Sequence, residues 1–98
     1  MSLPKTLKIG PFDCPVEFTE RGDLLRDESG GTWDDVNNTI QIDPVLSEQK
    51  QWETLIHEAL HGMAEMNGVE LDEHDVCTLG VMIYGFLKDN ADALKAIK

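Results

Sequence analysis

The stretch Thr39-Ile40-Gln41-Ile42-Asp43-Pro44-Val45-Leu46-Ser47-Glu48 is where the chain changes its period. Thr39 to Ile42 alternates polar and apolar side chains, as a strand with one buried face does. Asp43-Pro44 stops the alternation, and from Ser47 onward the apolar residues recur at about 3.6, the helical period. Ser47 is a suitable N-cap and Glu48 an acid in the favourable first turn. Asn67-Gly68 is a suitable helix end. Trp52, Ile56, Ala59, Leu60, Met63 and Met66 are expected to form the apolar stripe of this helix, with His57, Glu58, His61 and Glu65 on its flank.

Upstream the sequence is rich in strand and turn signals. Leu7-Lys8-Ile9 and Val16-Glu17-Phe18 alternate, with Gly10-Pro11 and Cys14-Pro15 read as interruptions. Arg21-Gly22-Asp23 is read as a hairpin turn rather than as an adhesion tripeptide, Asp23 to Arg26 as a strand, and Gly30-Gly31 as a break. Thr32 to Val36 is read as a further strand, closed by an Asn37-Asn38 turn. Downstream, Asp72 is placed to cap a second helix running to about Lys88, with Val76, Leu79, Ile83, Phe86 and Leu87 as its apolar face. Asp89-Asn90 interrupts that helix, and Ala91 to Lys98 is read as a last short helix or a frayed tail. The expectation is an α+β fold: a small, mostly antiparallel sheet followed by two packed helices.

The chain has 98 residues, so residues 1–98 are expected to form one domain with a single modest core. A hydrophobic content of 41% argues against wholesale disorder. No apolar run is long enough to span a bilayer, and Met1-Ser2-Leu3-Pro4 lacks the charged and apolar regions of a signal peptide. A cytoplasmic location is therefore expected. The formal charge is −11, from 19 acids against 8 bases, which repels nucleic-acid backbones and anionic membranes. Between Gln51 and Leu87 there is no Lys or Arg, yet seven acids fall there. A solvated acidic face accounts for Glu53 and Glu65; part of the remaining field is suited to offset a bound dication. Cys14 and Cys77 belong to no C-x-x-C pair and are read as reduced thiols, with a Cys14–Cys77 disulfide or a Cys77 metal ligand as minor alternatives.

The chemistry is concentrated in His57-Glu58-Ala59-Leu60-His61, an H-E-x-x-H motif. Two histidines one helical turn apart project from nearly the same side and can close on one zinc ion. The glutamate between them is placed to take a proton from water that the metal polarises. A zinc hydrolase needs a third protein ligand and a position left for water. Ala64 and Asn67 stand where the extended metzincin pattern needs glycine and histidine, so that pattern fails. The matching half of a di-iron carboxylate motif is also missing. Glu65 is a weak third ligand, because one straight helix rarely wraps three donors round one ion. Better candidates open the second helix. Glu73 shares a face with Val76, Gly80, Ile83 and Leu87, where Gly80 permits a close approach to the first helix. Glu73 is therefore the first choice and His74 the second. If His74 is not a ligand, it is a candidate oxyanion donor. Tyr84 is less apt, lying about 16 Å along the helix axis from Glu73. Asp72 or Asp75 is placed to hydrogen-bond a ligand imidazole.

On these residues the chain resembles the compact H-E-x-x-H zincins of the gluzincin type found in phages and prophages, related in pattern to the ImmA/IrrE-like metallopeptidases. The resemblance runs from Thr39-Ile40-Gln41-Ile42-Asp43 through Thr54-Leu55-Ile56-His57-Glu58-Ala59-Leu60-His61-Gly62 and Leu71-Asp72-Glu73-His74-Asp75-Val76, ending near Phe86-Leu87-Lys88-Asp89-Asn90. The motif core is specific and the downstream part looser. The resemblance implies a zinc-dependent metallopeptidase, with zinc on His57, His61 and Glu73 and with Glu58 as general base. It also implies an edge strand above the active-site helix that pairs with an extended peptide; by analogy that strand is Thr39 to Ile42. The expected partner is a peptide or protein substrate, neutral or basic near the cleavage point, and for a phage-encoded chain the compartment is the host cytoplasm. The competing expectation is a non-catalytic accessory protein whose metal stabilises the fold and whose acidic surface engages a basic partner.

Overall fold

The computed structural model describes residues 2–20 and 30–97. The elements in order are strands β1 (Thr6–Ile9), β2 (Phe12–Phe18), β3 (Gly31–Asp34) and β4 (Thr39–Ile42), then helices α1 (Glu48–Met66), α2 (Glu73–Asp89) and the short α3 (Ala91–Leu94). The strands form one sheet in the order β1-β2-β4-β3. The β1–β2 and β3–β4 pairs are antiparallel and the β2–β4 pair is parallel. The chain is thus α+β, with a mostly antiparallel sheet followed by two packed helices. The Arg21-Gly22-Asp23 turn and the strand expected from Asp23 to Arg26 lie outside the described residues.

Three details of the sheet differ from the sequence reading, each for a local reason. Cys14-Pro15 does not interrupt β2. Residues Phe12 to Pro15 pair with β1, whereas Val16 to Phe18 pair with β4. Pro15, which has no N–H to give, sits where the strand changes partner, and the Val16 N–H donates to the Lys5 carbonyl at 2.9 Å. β3 ends at Asp34 rather than Val36, because the Asp34 carboxylate folds the turn. Its Oδ1 accepts from the Val36 N–H at 3.0 Å and the Asn37 N–H at 3.2 Å, and Oδ2 accepts from Asn37 Nδ2 at 3.0 Å. Asn38 completes the turn at φ 50°, a left-handed conformation that Asn tolerates. Finally, β4 is not an edge strand. It lies between β2 and β3, and among the described residues β3 is the outer strand on that side.

The core lies between the sheet and α1. Ile9, Cys14, Trp33, Ile40 and Ile42 from the strands meet Leu55 and Ala59 from α1. Burying side chains such as Ile40 and Ile42 contributes about 1.5–3 kcal/mol each. The buried line of α1 is Leu55, Glu58, Ala59 and Gly62, while Trp52, Ile56 and Leu60 are only half buried and Met63 is exposed. The stripe expected from the sequence is therefore rotated. Trp33 on β3 lies over Gly62 with its ring closer than a side chain there would ordinarily allow: a Cβ added at Gly62 would sit 3.1 Å from Cζ2. A bulky strand residue is met by the smallest helix residue, so the glycine rather than a methionine faces the sheet.

α1 is held at its start as expected: Ser47 Oγ accepts from the Lys50 N–H at 3.3 Å. Asn67 closes it, followed by Gly68 at φ 66°. Asp72 caps α2 through the Asp75 N–H at 2.8 Å. α2 packs principally on α1 and buries only Val76 and Gly80. Leu79 and Ile83 are half buried, but Phe86 and Leu87, assigned to the apolar face from the sequence, are exposed, because among the described residues α2 packs chiefly on α1, with only short α3 beside its far end. No helix among the described residues is long and apolar enough to cross a membrane.

Candidate metal centre

His57 and His61 lie on the side of α1 that faces α2, half buried, with ring centroids 5.0 Å apart. α2 comes nearest to α1 at Gly80. A Cβ added there would lie 3.6 Å from His57 Cα, so the helices meet backbone to backbone. Glu73, the first helical residue of α2, projects its carboxylate onto both imidazoles. Oε1 lies 2.7 Å from His57 Nε2, and Oε2 lies 3.1 Å from His61 Nε2. The carboxylate spans the two rings, one oxygen to each.

Glu58 belongs to the same cluster but from within. It is 2% exposed, and its Oε2 lies 3.9 Å from His57 Nε2. Its Cγ is 3.4 Å from the point where a Cβ on Gly31 would stand, so β3 passes directly against it. The sequence reading put Glu58 on the flank of α1; the sheet covers it instead.

Cys77, one turn beyond Glu73 on α2, donates its thiol to Glu73 Oε1 at 3.7 Å. Partial desolvation, and after it the Glu73 and Glu58 carboxylates, push this thiol above its ordinary pKa. Cys14 lies in the core with its pKa likewise pushed up, chiefly by burial. Both cysteines are free.

Donor atoms of His57, Glu58 and His61 lie within 4.8 Å of one another, as do those of His57, Glu73 and Cys77, with His57 common to both groups. Zinc bound tetrahedrally through N and O donors holds those donors about 3.3 Å apart, given its usual bond lengths. The 2.7 and 3.1 Å contacts of Glu73 are close to that spacing. These residues could hold a metal ion, but they fall into two groups that share only His57: His61 and Glu73 approach each other at 3.1 Å without belonging to one group.

The structure thus brings His57, Glu58, His61 and Glu73 together. It groups exposed His74 with Asp72 and Asp75 at the start of α2 rather than with the other two histidines. Glu65 lines a cavity with Glu58, His61 and Trp33, whereas Tyr84 lines a separate apolar groove with Trp52 and Leu60. Trp33 was not singled out from the sequence as a neighbour of the site. Its sequence signal is a large aromatic in a strand, to be matched with the glycine that directly follows the motif's second histidine.

No protein-family model, curated protein or solved structure matches this chain.

Proposed function

We propose that this protein is a small zinc metallopeptidase, akin to the compact H-E-x-x-H zincins, with His57, His61 and Glu73 as metal ligands and Glu58 as general base. The reading rests on one observation above all. A carboxylate from a different helix meets both motif histidines, with the buried Glu58 beside them. Zinc, when bound, would polarise water and the substrate carbonyl. Glu58, covered by β3, is held in one place to accept the proton from water and to return it to the leaving amine. Its burial keeps bulk water from solvating the carboxylate and from competing for that proton. His74 has no role in this scheme, since its imidazole groups with Asp72 and Asp75. The net acidity of the chain favours peptides that are neutral or basic near the cleaved bond.

One observation favours a second reading. Cys77 Sγ lies within 4.8 Å of donors on His57 and Glu73, and a thiolate added to the ligands would take the position that catalysis leaves to water. The protein would then be a metal-stabilised, non-catalytic binding module. One experiment separates the two: zinc-loaded wild type and Glu58→Gln are offered a mixed peptide library, and their melting is followed with and without chelator. The metallopeptidase reading expects cleavage by wild type, a loss of about 10²–10⁴ in rate in Glu58→Gln, and unchanged zinc content. A chelator-sensitive fold that cuts no peptide supports the binding module.

A further inference from the structure

We propose that the apolar groove between β1, α1 and the second half of α2 binds a small anionic amphiphile, a free medium-chain carboxylate held by its tail and selected by its head. None of His57, Glu58, His61 and Glu73 lines this groove, so the proposal does not depend on the metallopeptidase reading.

The groove has a volume of about 660 Å³, within the range of sites that enclose a small molecule. Buried Leu55 and Ala59 of α1 form its floor. Trp52, Ile56, Leu60 and Met63 line it along α1, and α2 adds Ile83 and Leu87. The four α1 residues belong to the apolar stripe that the sequence marks for the core. Because Glu58 and Gly62 take the sheet side instead, the stripe is left half buried or exposed along an open trough. From Trp52 to Met63 it runs about 16 Å, long enough for the extended tail of a medium-chain carboxylate. β1 supplies the other lip. Leu7, Lys8 and Ile9 are consecutive, and successive strand residues point to opposite faces, so all three meet the groove only along the strand's edge. β1 is the outer strand on its side of the sheet, so among the described residues that edge is open.

Charge selects the head group. Cations are scarce in a chain of charge −11, yet Lys8 and Lys88 both line the groove. Elsewhere Lys50 pairs with Glu53 at 3.5 Å and Lys95 with Asp92 at 3.4 Å. Lys8 and Lys88 make no salt bridge among the described residues. Tyr84, one turn before Lys88, lines the groove too, and its hydroxyl makes no hydrogen bond among the described residues. Glu48, the acid in the lining, already has a partner of its own. An apolar trough with unpaired cations at its lip matches an anion at one end of an apolar chain. A second copy of this chain would instead bring another −11 charge to the interface. Surface lysines are well solvated, so the tail supplies most of the affinity and the head group the choice.

The test is calorimetric titration of the whole chain with decanoate, kept below its micelle-forming concentration, with hexanoate and decanol for comparison. Saturable binding of one decanoate per chain is expected, with hexanoate about a hundredfold weaker because it lacks four buried methylenes. Lys8→Gln/Lys88→Gln should weaken decanoate about tenfold, as the loss of two partly exposed ion pairs would, and leave decanol unchanged. Amide shifts in isotope-edited NMR should centre on Leu7 to Ile9, Trp52 to Met63 and Ile83 to Lys88. No saturable binding of decanoate, a double variant that weakens decanoate and decanol alike or neither, or shifts centred elsewhere would each overturn the proposal. So would a dimer whose dilution shifts these same amides and which decanoate does not dissociate, since a second copy would then fill the groove.

Discussion

α1 and α2 are similar in length but differ in how they are held. α1 has the sheet on one side and α2 on the other, and it buries Leu55, Glu58, Ala59 and Gly62. α2 leans mainly on α1, buries only Val76 and Gly80, and leaves Val81, Met82 and Phe86 at least 60% exposed. The candidate site straddles this difference. His57, Glu58 and His61 ride on the helix that the core fixes, whereas Glu73 and Cys77 ride on the helix that a single interface fixes. Local stability follows buried contacts, so α2 should open before α1. A cation held between the two would link the weaker helix to the stronger.

The largest effects should fall on the α1 side of the site. His57→Ala or His61→Ala should lower zinc affinity by well over a hundredfold, beyond what is usual for losing a residue that only supports a ligand. Glu73→Ala should cost less than either histidine, because both histidines stay in place on α1. Competition with a chromophoric chelator measures both. The same samples sharpen the comparison by hydrogen exchange, since zinc should slow the amides of α2 more than those of α1. A greater affinity loss for Glu73→Ala than for His57→Ala would mean that α2, not α1, supplies the fixed half of the site.

Next in size are glycine substitutions that probe the two faces of α1. A Cβ added at Gly31 would run into Thr54 Cγ2 on α1 and stand 3.1 Å from the Gln41 carbonyl oxygen on β4. Gly31→Ala should therefore destabilise the protein by about 1–3 kcal/mol. At Gly80 the nearest atom is 3.6 Å away, an ordinary contact, and alanine is the better helix former by about 1 kcal/mol. Gly80→Ala should be neutral or stabilising. Urea denaturation of the pair tests whether the sheet face of α1 is the tight one. Similar losses in both variants would erase the distinction between the two interfaces.

What could be read from the sequence divides along local and non-local lines. The strand Thr39 to Ile42, the Ser47 and Asp72 caps and the Asn67-Gly68 stop all involve residues within a turn of one another, and each appears where the sequence put it, although Thr39 is buried along with Ile40 and Ile42 rather than lying on an open face. Helical phase puts Glu73 on the face of α2 toward α1, and its carboxylate lies against both imidazoles. Partner choice was not legible. Nothing within β4 reveals that it lies between β2 and β3, because strand order is set by pairing between distant segments. The rotation of the α1 stripe has the same origin: Met63 is more apolar than Gly62, but only the position of Trp33 makes the glycine the residue that fits. The burial of Glu58 and the cavity shared by Trp33, Glu65 and Glu70 need three segments at once, and no single window of sequence contains them.

The smallest effect concerns Cys77, and it tests whether the first turn of α2 lies where the comparison requires. Desolvation is the leading cause that pushes this thiol up, and the Glu73 carboxylate is the next. A raised pKa lowers the thiolate fraction at any pH beneath it, and the thiolate is the species that reacts with iodoacetamide. In metal-free protein at mildly alkaline pH, Cys77 should therefore alkylate more slowly than an ordinary exposed cysteine, and its rate should climb as pH rises through the raised value. Cys14, buried in the core, should stay unreacted until the fold opens, so the early signal belongs to Cys77. Glu73→Gln removes a charge that opposes the thiolate, and its rate–pH curve should move to lower pH. It should not return fully to ordinary behaviour, because desolvation remains. Glu58→Gln should move the curve less, since Glu58 is the last and smallest contributor. Peptide mapping by mass spectrometry resolves the two cysteines. If the curves of wild type and Glu73→Gln coincide, Glu73 does not sit against Cys77, and the first turn of α2 is not held over the histidines as described.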